Sequence, residues 1–205
     1  MAGTIIRKLT APDTHIYGLT FDGRCLWCAD RDAGLIYQVD IDTGTAIRSI
    51  SAPAQNSRGL AFDGRCLYVC DYDAYKIYQI DPVTGTVIRT IVTLKVKPAG
   101  LTFDGRCLWY DVDSTNTIYQ LDIATGTDIR SFGAPSTNPH GLTWDSRRLW
   151  ALDIILDSIY QVDPATGRVI QTLTPGVVNA RSLAFDGRTL WTSELDDNTL
   201  VQISI

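Results

Sequence analysis

"GLTFDGRCLWCADRDAGLIYQVDIDTG" at residues 18–44 is repeated with few changes as "GLAFDGRCLYVCDYDAYKIYQIDPVTG" at residues 59–85. Further copies begin at residues 100, 141 and 182, so each copy starts 41 residues after the previous one. A fixed period of this length indicates stacked copies of one supersecondary unit. Positions within a copy are numbered below from its first residue.

Each copy predicts four short β-strands joined by tight turns. In the first copy "GLTFD" and "RCLWCAD" flank an Asp-Gly turn, while "IYQVD" and "TAIRSI" flank a Thr-Gly turn. Asp-Gly between β-prone runs is a strong hairpin signal, and no segment has the 3.6-residue period of a helix. Four antiparallel strands repeated at about 40 residues are typical of a β-propeller blade. The predicted fold is therefore all-β, a single five-bladed β-propeller.

The two ends of the chain are predicted to share one blade. The fifth copy, residues 182–205, supplies only three strands, and residues 3–12 ("GTIIRKLTAP") match the fourth strand of the first copy, "GTAIRSISAP". We expect the N-terminal strand to complete the C-terminal blade, which removes the open edges of a linear array. The predicted domain spans residues 1–205, with blades starting at residues 18, 59, 100, 141 and 182. The similarity of the copies leaves open whether the chain is natural, trimmed or engineered.

Composition narrows the class of partner. The net charge is −5 and the pI is near 4.9, which argues against nucleic acid, because that affinity depends on basic groups that neutralise phosphates. No apolar run is long enough to span a membrane and no signal peptide is visible, so we expect a cytoplasmic monomer. The five cysteines are an odd number, and three of them share one repeat position. We interpret them as free buried thiols, which suits a reducing compartment.

Residues that recur in every copy are interpreted as scaffold. An aromatic residue stands at position 10 of every copy: Trp27, Tyr68, Trp109, Trp150 and Trp191. We expect these rings to pack between blades, although in a single copy they would suggest a sugar-stacking platform. A glutamine also recurs, and we expect it to satisfy backbone groups where strands diverge: Gln38, Gln79, Gln120, Gln161 and Gln202. Function is therefore expected where the copies differ.

The copies differ on one face of the disc, which we call the variable face. It carries the connections between blades and the loops at positions 12–17, whereas the nearly invariant Asp-Gly and Thr-Gly turns lie on the opposite face. Basic and aromatic residues just before the innermost strands are predicted to line the mouth of the central channel: Tyr17, Arg58, His140 and Arg181, with His15 and Lys97 two residues before that position. Such a mouth predicts a site for a small polar or anionic molecule, or for a protein or peptide.

An acidic rim is predicted around this mouth. The loops at positions 12–17 hold eleven carboxylates: Asp30, Asp32, Asp71, Asp73, Asp111, Asp113, Asp153, Asp157, Glu194, Asp196 and Asp197. "DRDAG" at residues 30–34 has the look of a calcium loop but lacks the later bidentate Glu. We therefore predict no metal and no cofactor.

No catalytic sequence motif is visible: the chain has no G-x-S-x-G motif, no P-loop and no Ser-His-Asp signature. "GLTFDG.LW" with "IYQ.D..TG.VI" resembles the short blade repeats of the bacterial propeller superfamily that includes NHL-type and YVTN-type proteins. That resemblance covers the whole chain, and it implies the fold. Glutaminyl-peptide cyclotransferases of bacteria resemble the chain in having five blades, and streptogramin lyases resemble it in the sequence of the blade repeat.

Three functions stay open at the level of sequence. The first is a non-catalytic binding or interaction module that uses the channel mouth. The second is a propeller enzyme of cyclotransferase or lyase type, which requires a concave mouth with an acid or base in reach of a substrate. The third is a multivalent lectin-like propeller with five matching sites.

Overall fold

The structure, a computed structural model, describes residues 3–93 and 95–205; Met1, Ala2 and Leu94, which the predicted domain includes, lie outside the described residues. Within them the strands are, in chain order, β1 (Ile5–Thr10), β2 (Ile16–Phe21), β3 (Cys25–Asp30), β4 (Leu35–Asp40), β5 (Ala46–Ser51), β6 (Ser57–Phe62), β7 (Leu67–Asp71), β8 (Lys76–Ile80), β9 (Val87–Val92), β10 (Pro98–Phe103), β11 (Leu108–Val112), β12 (Thr117–Leu121), β13 (Asp128–Gly133), β14 (Pro139–Trp144), β15 (Leu149–Asp153), β16 (Ser158–Val162), β17 (Val169–Leu173), β18 (Ala184–Phe185), β19 (Leu190–Glu194) and β20 (Thr199–Ile203). One short 3-10 turn, Asp113–Thr115, follows β11.

The strands form five antiparallel sheets of four strands each, which are the five predicted blades. Blades 1 to 4 are β2–β5, β6–β9, β10–β13 and β14–β17, each in chain order from the axis outward. Blade 5 has the order β18-β19-β20-β1, so the N-terminal strand is its outermost strand. β1 pairs with β20 from Ile5 opposite Ile203 to Thr10 opposite Thr199. The predicted closure of the ring is confirmed.

The hydrophobic core lies between neighbouring blades. Trp27 of blade 1 packs in one buried cluster with Leu60 and Leu67 of blade 2, and Trp191 of blade 5 packs in another with Leu19 and Leu26 of blade 1. The position-10 aromatic rings are almost completely buried, as predicted for core residues. Rings of this size each bury a large apolar area.

The recurring Asp, Trp and Gln residues form one hydrogen-bonded unit in the blade. In blade 1, Asp22 accepts hydrogen bonds from the backbone N–H of Arg24 and Cys25, from Trp27 Nε1 at 2.8 Å and from Gln38 Nε2 at 3.1 Å. The expectation that the glutamine serves backbone groups was wrong, because its amide lies between two side chains.

An arginine on the outermost strand completes this unit and ties it to the next blade. Arg48 Nε donates to Gln38 Oε1 at 2.8 Å, its guanidinium lies 5.2 Å from the Trp27 ring centroid, and Nη1 donates to the carbonyl of Val83 in blade 2. Arg7 makes the same contacts from blade 5 to blade 1. The planar, multiply donating guanidinium suits this combination of stacking and hydrogen bonding.

The first strand of each blade packs against the first strand of the next around the axis. This approach leaves no room for side chains at position 1: a Cβ on Gly59 would lie 2.5 Å from the carbonyl oxygen of Ala99 and 2.6 Å from the amide nitrogen of Leu101. Blade 5 carries Ser182 at the same position, where its first strand is only two residues long. The glycines therefore allow the five inner strands to close tightly.

Candidate functional site

Three of the predicted mouth residues lie in the inner strands rather than before them. Tyr17, Arg58 and His140 are second residues of β2, β6 and β14, while Arg181 precedes β18 and its N–H donates to the carbonyl of Ser193. The register between the first two strands of blades 1 to 4 shifts just after the strand begins. Such a bulge re-aims the side chain beside it. The bulges place the position before the glycine at the channel.

Tyr17 stands at the centre of a group of three arginines. Arg31 Nη1 donates to the Tyr17 hydroxyl at 3.0 Å, and its guanidinium carbon lies 4.6 Å from the ring centroid. The guanidinium groups of Arg58 and Arg181 lie 5.3 and 5.8 Å from the same centroid. Cation–π contacts of this kind hold charged groups close together in spite of their mutual repulsion.

Arg58 joins the mouth to the buried His140. Its guanidinium carbon lies 3.4 Å from the centroid of Tyr72, its Nε donates to Asn56 Oδ1, and its Nη1 lies 2.9 Å from His140 Nε2. Because a guanidinium only donates, His140 accepts at Nε2 and carries its proton on Nδ1. Burial, and next the charge of Arg58, lower the pKa of His140 to about 3, so the ring is neutral. Burial also lowers the pKa of Arg58.

Of the cations at the mouth, only Arg31 has a carboxylate partner in the described residues, the neighbouring Asp32 at 2.6 Å. Among residues 3–93 and 95–205, no ion pair involves Arg58, Arg181 or Lys97. His140 Nδ1 is also buried without a hydrogen-bond partner in that part of the chain. A half-buried guanidinium without a counter-ion is costly, and an anion at the mouth would relieve that cost.

The channel beneath the mouth is closed. Inner-strand residues, including Tyr17 and His140, approach so closely that no space for a water molecule remains between them. An open cleft of about 390 Å³ lies beside the mouth and is lined by Arg31, Asp32, Gln55 and Asn56. A ligand of this face therefore has access to the cleft and to the surface of the mouth, but not to the channel interior.

The acidic rim was partly wrong as a prediction. Five of its carboxylates are buried: Asp30, Asp71, Asp111, Asp153 and Glu194. Asp30 accepts the N–H groups of His15, Asp32 and Ala33, and Asp153 accepts three N–H groups in the same way. A carboxylate that accepts several backbone N–H groups anchors its loop. The D-x-D-x-G stretch at residues 30–34 is built around such an anchor.

The exposed members of the rim are held by neighbouring side chains. His15, predicted at the mouth, instead lies on the rim, with Nδ1 3.3 Å from Asp32 Oδ2. Tyr72 donates to Asp113 Oδ2 at 3.1 Å, and Lys8 lies 3.0 Å from Asp197. Most of the exposed rim carboxylates thus have a side-chain partner, whereas Arg58 and Arg181 have no carboxylate partner in the described residues.

Asp111 lies under the mouth. Its Oδ1 accepts the Gly100 N–H at 2.8 Å, while Oδ2 is buried without a partner in the described residues. At the same position Cys70 and Ser193 are donors: Cys70 Sγ donates to the Ala99 carbonyl at 3.1 Å, and Ser193 Oγ donates to the Ile16 carbonyl at 2.8 Å. A carboxylate oxygen buried without a donor favours the protonated, neutral carboxyl. Burial raises the pKa of Asp111 to about 7.

Sequence reasoning missed the roles of three residues. Asp111 stands at position 12, one residue earlier than Asp30, Asp71 and Asp153, and in a strand one residue exchanges one face for the other. Arg31 and Tyr72 both stand at position 14, which varies in all five copies. These two differences among the copies are the signals that point to them.

The fold and the site define the chain as a five-bladed β-propeller with a cationic, aromatic mouth on one face. No model of a known protein family matches the chain, and no curated protein sequence matches it. Glutaminyl cyclase from Myxococcus xanthus is similar in structure, with a TM-score of 0.84 and 16% identity over 98% of this chain and 95% of that one. Virginiamycin B lyase from Staphylococcus aureus is similar with a TM-score of 0.59 and 18% identity, over 96% of this chain and 68% of that one. At such identities the likeness shows the fold alone.

Proposed function

We propose that the protein is a non-catalytic binding module that holds a small polar or anionic ligand at the channel mouth. The observation that carries the proposal is the contrast between engaged rim carboxylates and central cations without carboxylate partners, Arg58 and Arg181 above all, in the described part of the chain. Arginine suits this role because its guanidinium binds carboxylate or phosphate through two parallel hydrogen bonds.

Tyr17 supports the same proposal because its ring holds Arg58 and Arg181 in place without neutralising them, whereas Arg31 is paired with Asp32. Its ring contacts the guanidinium groups of Arg31, Arg58 and Arg181, and its hydroxyl accepts from Arg31. The closed channel and the adjacent cleft favour a ligand that lies on the mouth with part of it in the cleft. A site arranged in this way before the ligand arrives loses little side-chain freedom on binding.

The experiment is a titration with inorganic phosphate and with succinate, followed by calorimetry at low ionic strength. We expect saturable binding that weakens about tenfold or more in Arg181→Gln and in Arg58→Gln, and that weakens with added salt. Arg24→Gln, an exposed arginine in an Asp-Gly turn of the opposite face, is the matched control and should bind like the parent. Absence of binding by both anions, or equal binding by the parent and both mouth variants, would contradict the proposal.

An enzyme of cyclotransferase or lyase type is the second candidate. Its support is the fold that the chain shares with a glutaminyl cyclase, together with two buried groups of displaced pKa, Asp111 and His140. The filled channel counts against it, because substrate must reach the reacting groups. Cyclisation of a glutaminyl peptide by the purified chain, lost in His140→Ala, would replace the first proposal with this one.

We also propose a superfamily, an oligomeric state and a compartment for the protein. The sequence of the blade repeat supports membership of the bacterial superfamily with NHL-type and YVTN-type repeats, and we propose a monomer. The five free, buried cysteines support a reducing compartment such as the cytoplasm. No helix in the described residues is long and apolar enough to cross a membrane. Burial of the position-10 aromatic rings leaves no stacking platform there for a lectin-like function.

A further inference from the structure

Three blades share a contact between the connection that enters the blade and the loop at positions 12–17. The residue three places before the blade start meets a carboxylate at position 15: His15 with Asp32 at 3.3 Å, Asn56 with Asp73 at 3.0 Å, and Asn179 with Asp196 at 2.6 Å. Repetition in blades 1, 2 and 5 identifies this contact as the ordinary way in which the repeat fastens its variable-face loop.

Blades 3 and 4 lack the carboxylate. Lys97 is the connection residue of blade 3, but position 15 there is Ser114; Asn138 is the connection residue of blade 4, but position 15 there is Ile155. Lys97 has no ion pair within the described residues, where its Nζ lies 5.6 Å from the centroid of the Tyr72 ring. Oδ1 of Asn138 is buried without a partner there. Since an unsatisfied buried polar atom destabilises a fold, stability does not explain the exchange.

The residues that replace the carboxylate in blade 4 form an exposed apolar pair. Ile155 is 64% exposed and Leu156 is 56% exposed. Asp153 accepts the N–H groups of both, just as Asp71 accepts those of Asp73 and Ala74. The same loop is thus built in blade 2 without large apolar side chains, so folding of the loop does not require them. The two adjacent side chains leave apolar surface exposed at the place where other blades carry a loop carboxylate.

We propose that the open sector, defined as Lys97 and Ser114 of blade 3 with Ile155 and Leu156 of blade 4, docks a peptide segment of a partner protein that carries a carboxylate beside an apolar side chain. The partner carboxylate takes the place of the missing loop carboxylate opposite Lys97, where the small Ser114 leaves room. The apolar side chain packs on Ile155 and Leu156. Charge and apolar complementarity both come from departures from the repeat in neighbouring blades.

A peptide fits this sector better than a small anion or a second copy of the chain. A free anion would satisfy Lys97 but would leave the apolar pair exposed. A second copy would have to present a free carboxylate, whereas most exposed rim carboxylates are already held. The inference rests on the proposed function in that both assign binding to the variable face. Lys97 is the one side chain that the two sites share.

The experiment converts the open sector to the pattern of the other blades with Ser114→Asp and Ile155→Asp, singly and together. Both positions are exposed and the other loops carry Asp there, so the variants should fold. The probes are short acetylated and amidated fluorescent peptides with one Glu near one Leu, and matched peptides with Gln for Glu or Ser for Leu. Fluorescence polarisation measures binding, and Asp73→Ser in blade 2 is the control variant.

We expect the Glu–Leu peptides to bind the parent and the control variant about tenfold or more tightly than their matched peptides, and the double variant to lose that preference. Phosphate binding at the mouth should persist in the double variant, so failure here and failure of the proposed function give different patterns. Equal binding of all peptides, or unchanged peptide binding in the double variant, overturns the proposal. Self-association of the parent, or its binding to neutral lipid vesicles, that Ile155→Asp abolishes would also overturn it.

Discussion

Asp111 shows how one residue can make a propeller sensitive to pH. Its raised pKa means that the folded chain holds a proton that the unfolded chain releases at about pH 4. The free energy of unfolding therefore decreases as pH rises from about 4 through about 7, and becomes constant above that range. His140, with its lowered pKa, acts in the opposite direction and decreases stability as pH falls from about 6.5 towards 3.

We predict that Asp111→Asn removes the loss of stability between about pH 4 and pH 7. An amide keeps an acceptor for the Gly100 N–H and carries no charge, as the protonated carboxyl does, so the variant should match the parent near pH 4. At pH 8 it should exceed the parent by a few kcal/mol at most, because about three pKa units separate the folded and unfolded values. Thermal denaturation across this pH range is the measurement. A parent whose stability rises between pH 5 and 8 relative to the variant would contradict the assignment.

The inner strands show what the repeat demands of an element. Gly59 approaches the backbone of β10 so closely that a methyl group has no place, and backbone cannot move aside as a flexible side chain can. We predict that Gly59→Ala destabilises the protein by about 3 kcal/mol or more, the upper range for overpacking.

The matched control for this prediction is Gly133→Ala. Gly133 ends β13, and a Cβ there meets no atom within 4 Å. This substitution should be neutral or slightly stabilising, because it reduces the freedom of the unfolded chain. Chemical denaturation measures both variants. Equal stability for the two would mean that the inner strands are not as closely packed as described.

Elements were predictable from the sequence because each was written five times. The Asp-Gly and Thr-Gly turns gave strand ends in every copy, and alignment of residues 3–12 with residues 44–53 gave β1 its neighbour. Side-chain direction was harder, since bulges at the start of the inner strands place Tyr17 and His140 within the strand and against each other. The sequence named Tyr17, Arg58 and Arg181, which the structure brings together, but the closed channel depends on packing across blades, which no single repeat encodes.

At the scale of the whole molecule, β1 is the closure of the ring. Ile5 packs against the cluster between blades 4 and 5, and Leu9 packs against the cluster between blades 5 and 1. Full burial of such a side chain contributes about 1.5–3 kcal/mol, against a total stability of about 5–15 kcal/mol, and Ile5 and Leu9 are each partly buried. One strand therefore supports two of the five interfaces.

We predict that deletion of residues 1–10 gives insoluble or self-associating protein, because it exposes the edge of β20 and opens both interfaces. A circular permutant with the same strand placed after Ile205 should restore a monomer that melts like the parent. Light scattering after size-exclusion chromatography and thermal melting are the measurements. A truncated chain that stays monomeric with unchanged melting would contradict the role given to β1.

The pairing of β1 with β20 also has a mechanical consequence. The strands are antiparallel, so the start of one lies beside the end of the other: the Ser204 N–H donates to the Thr4 carbonyl at 2.9 Å, and the Thr4 N–H donates to Ser204 Oγ. Tension applied between the two ends of the chain therefore peels the hydrogen bonds of this seam one at a time instead of shearing them together. We therefore expect mechanical unfolding to begin with the separation of β1 from β20.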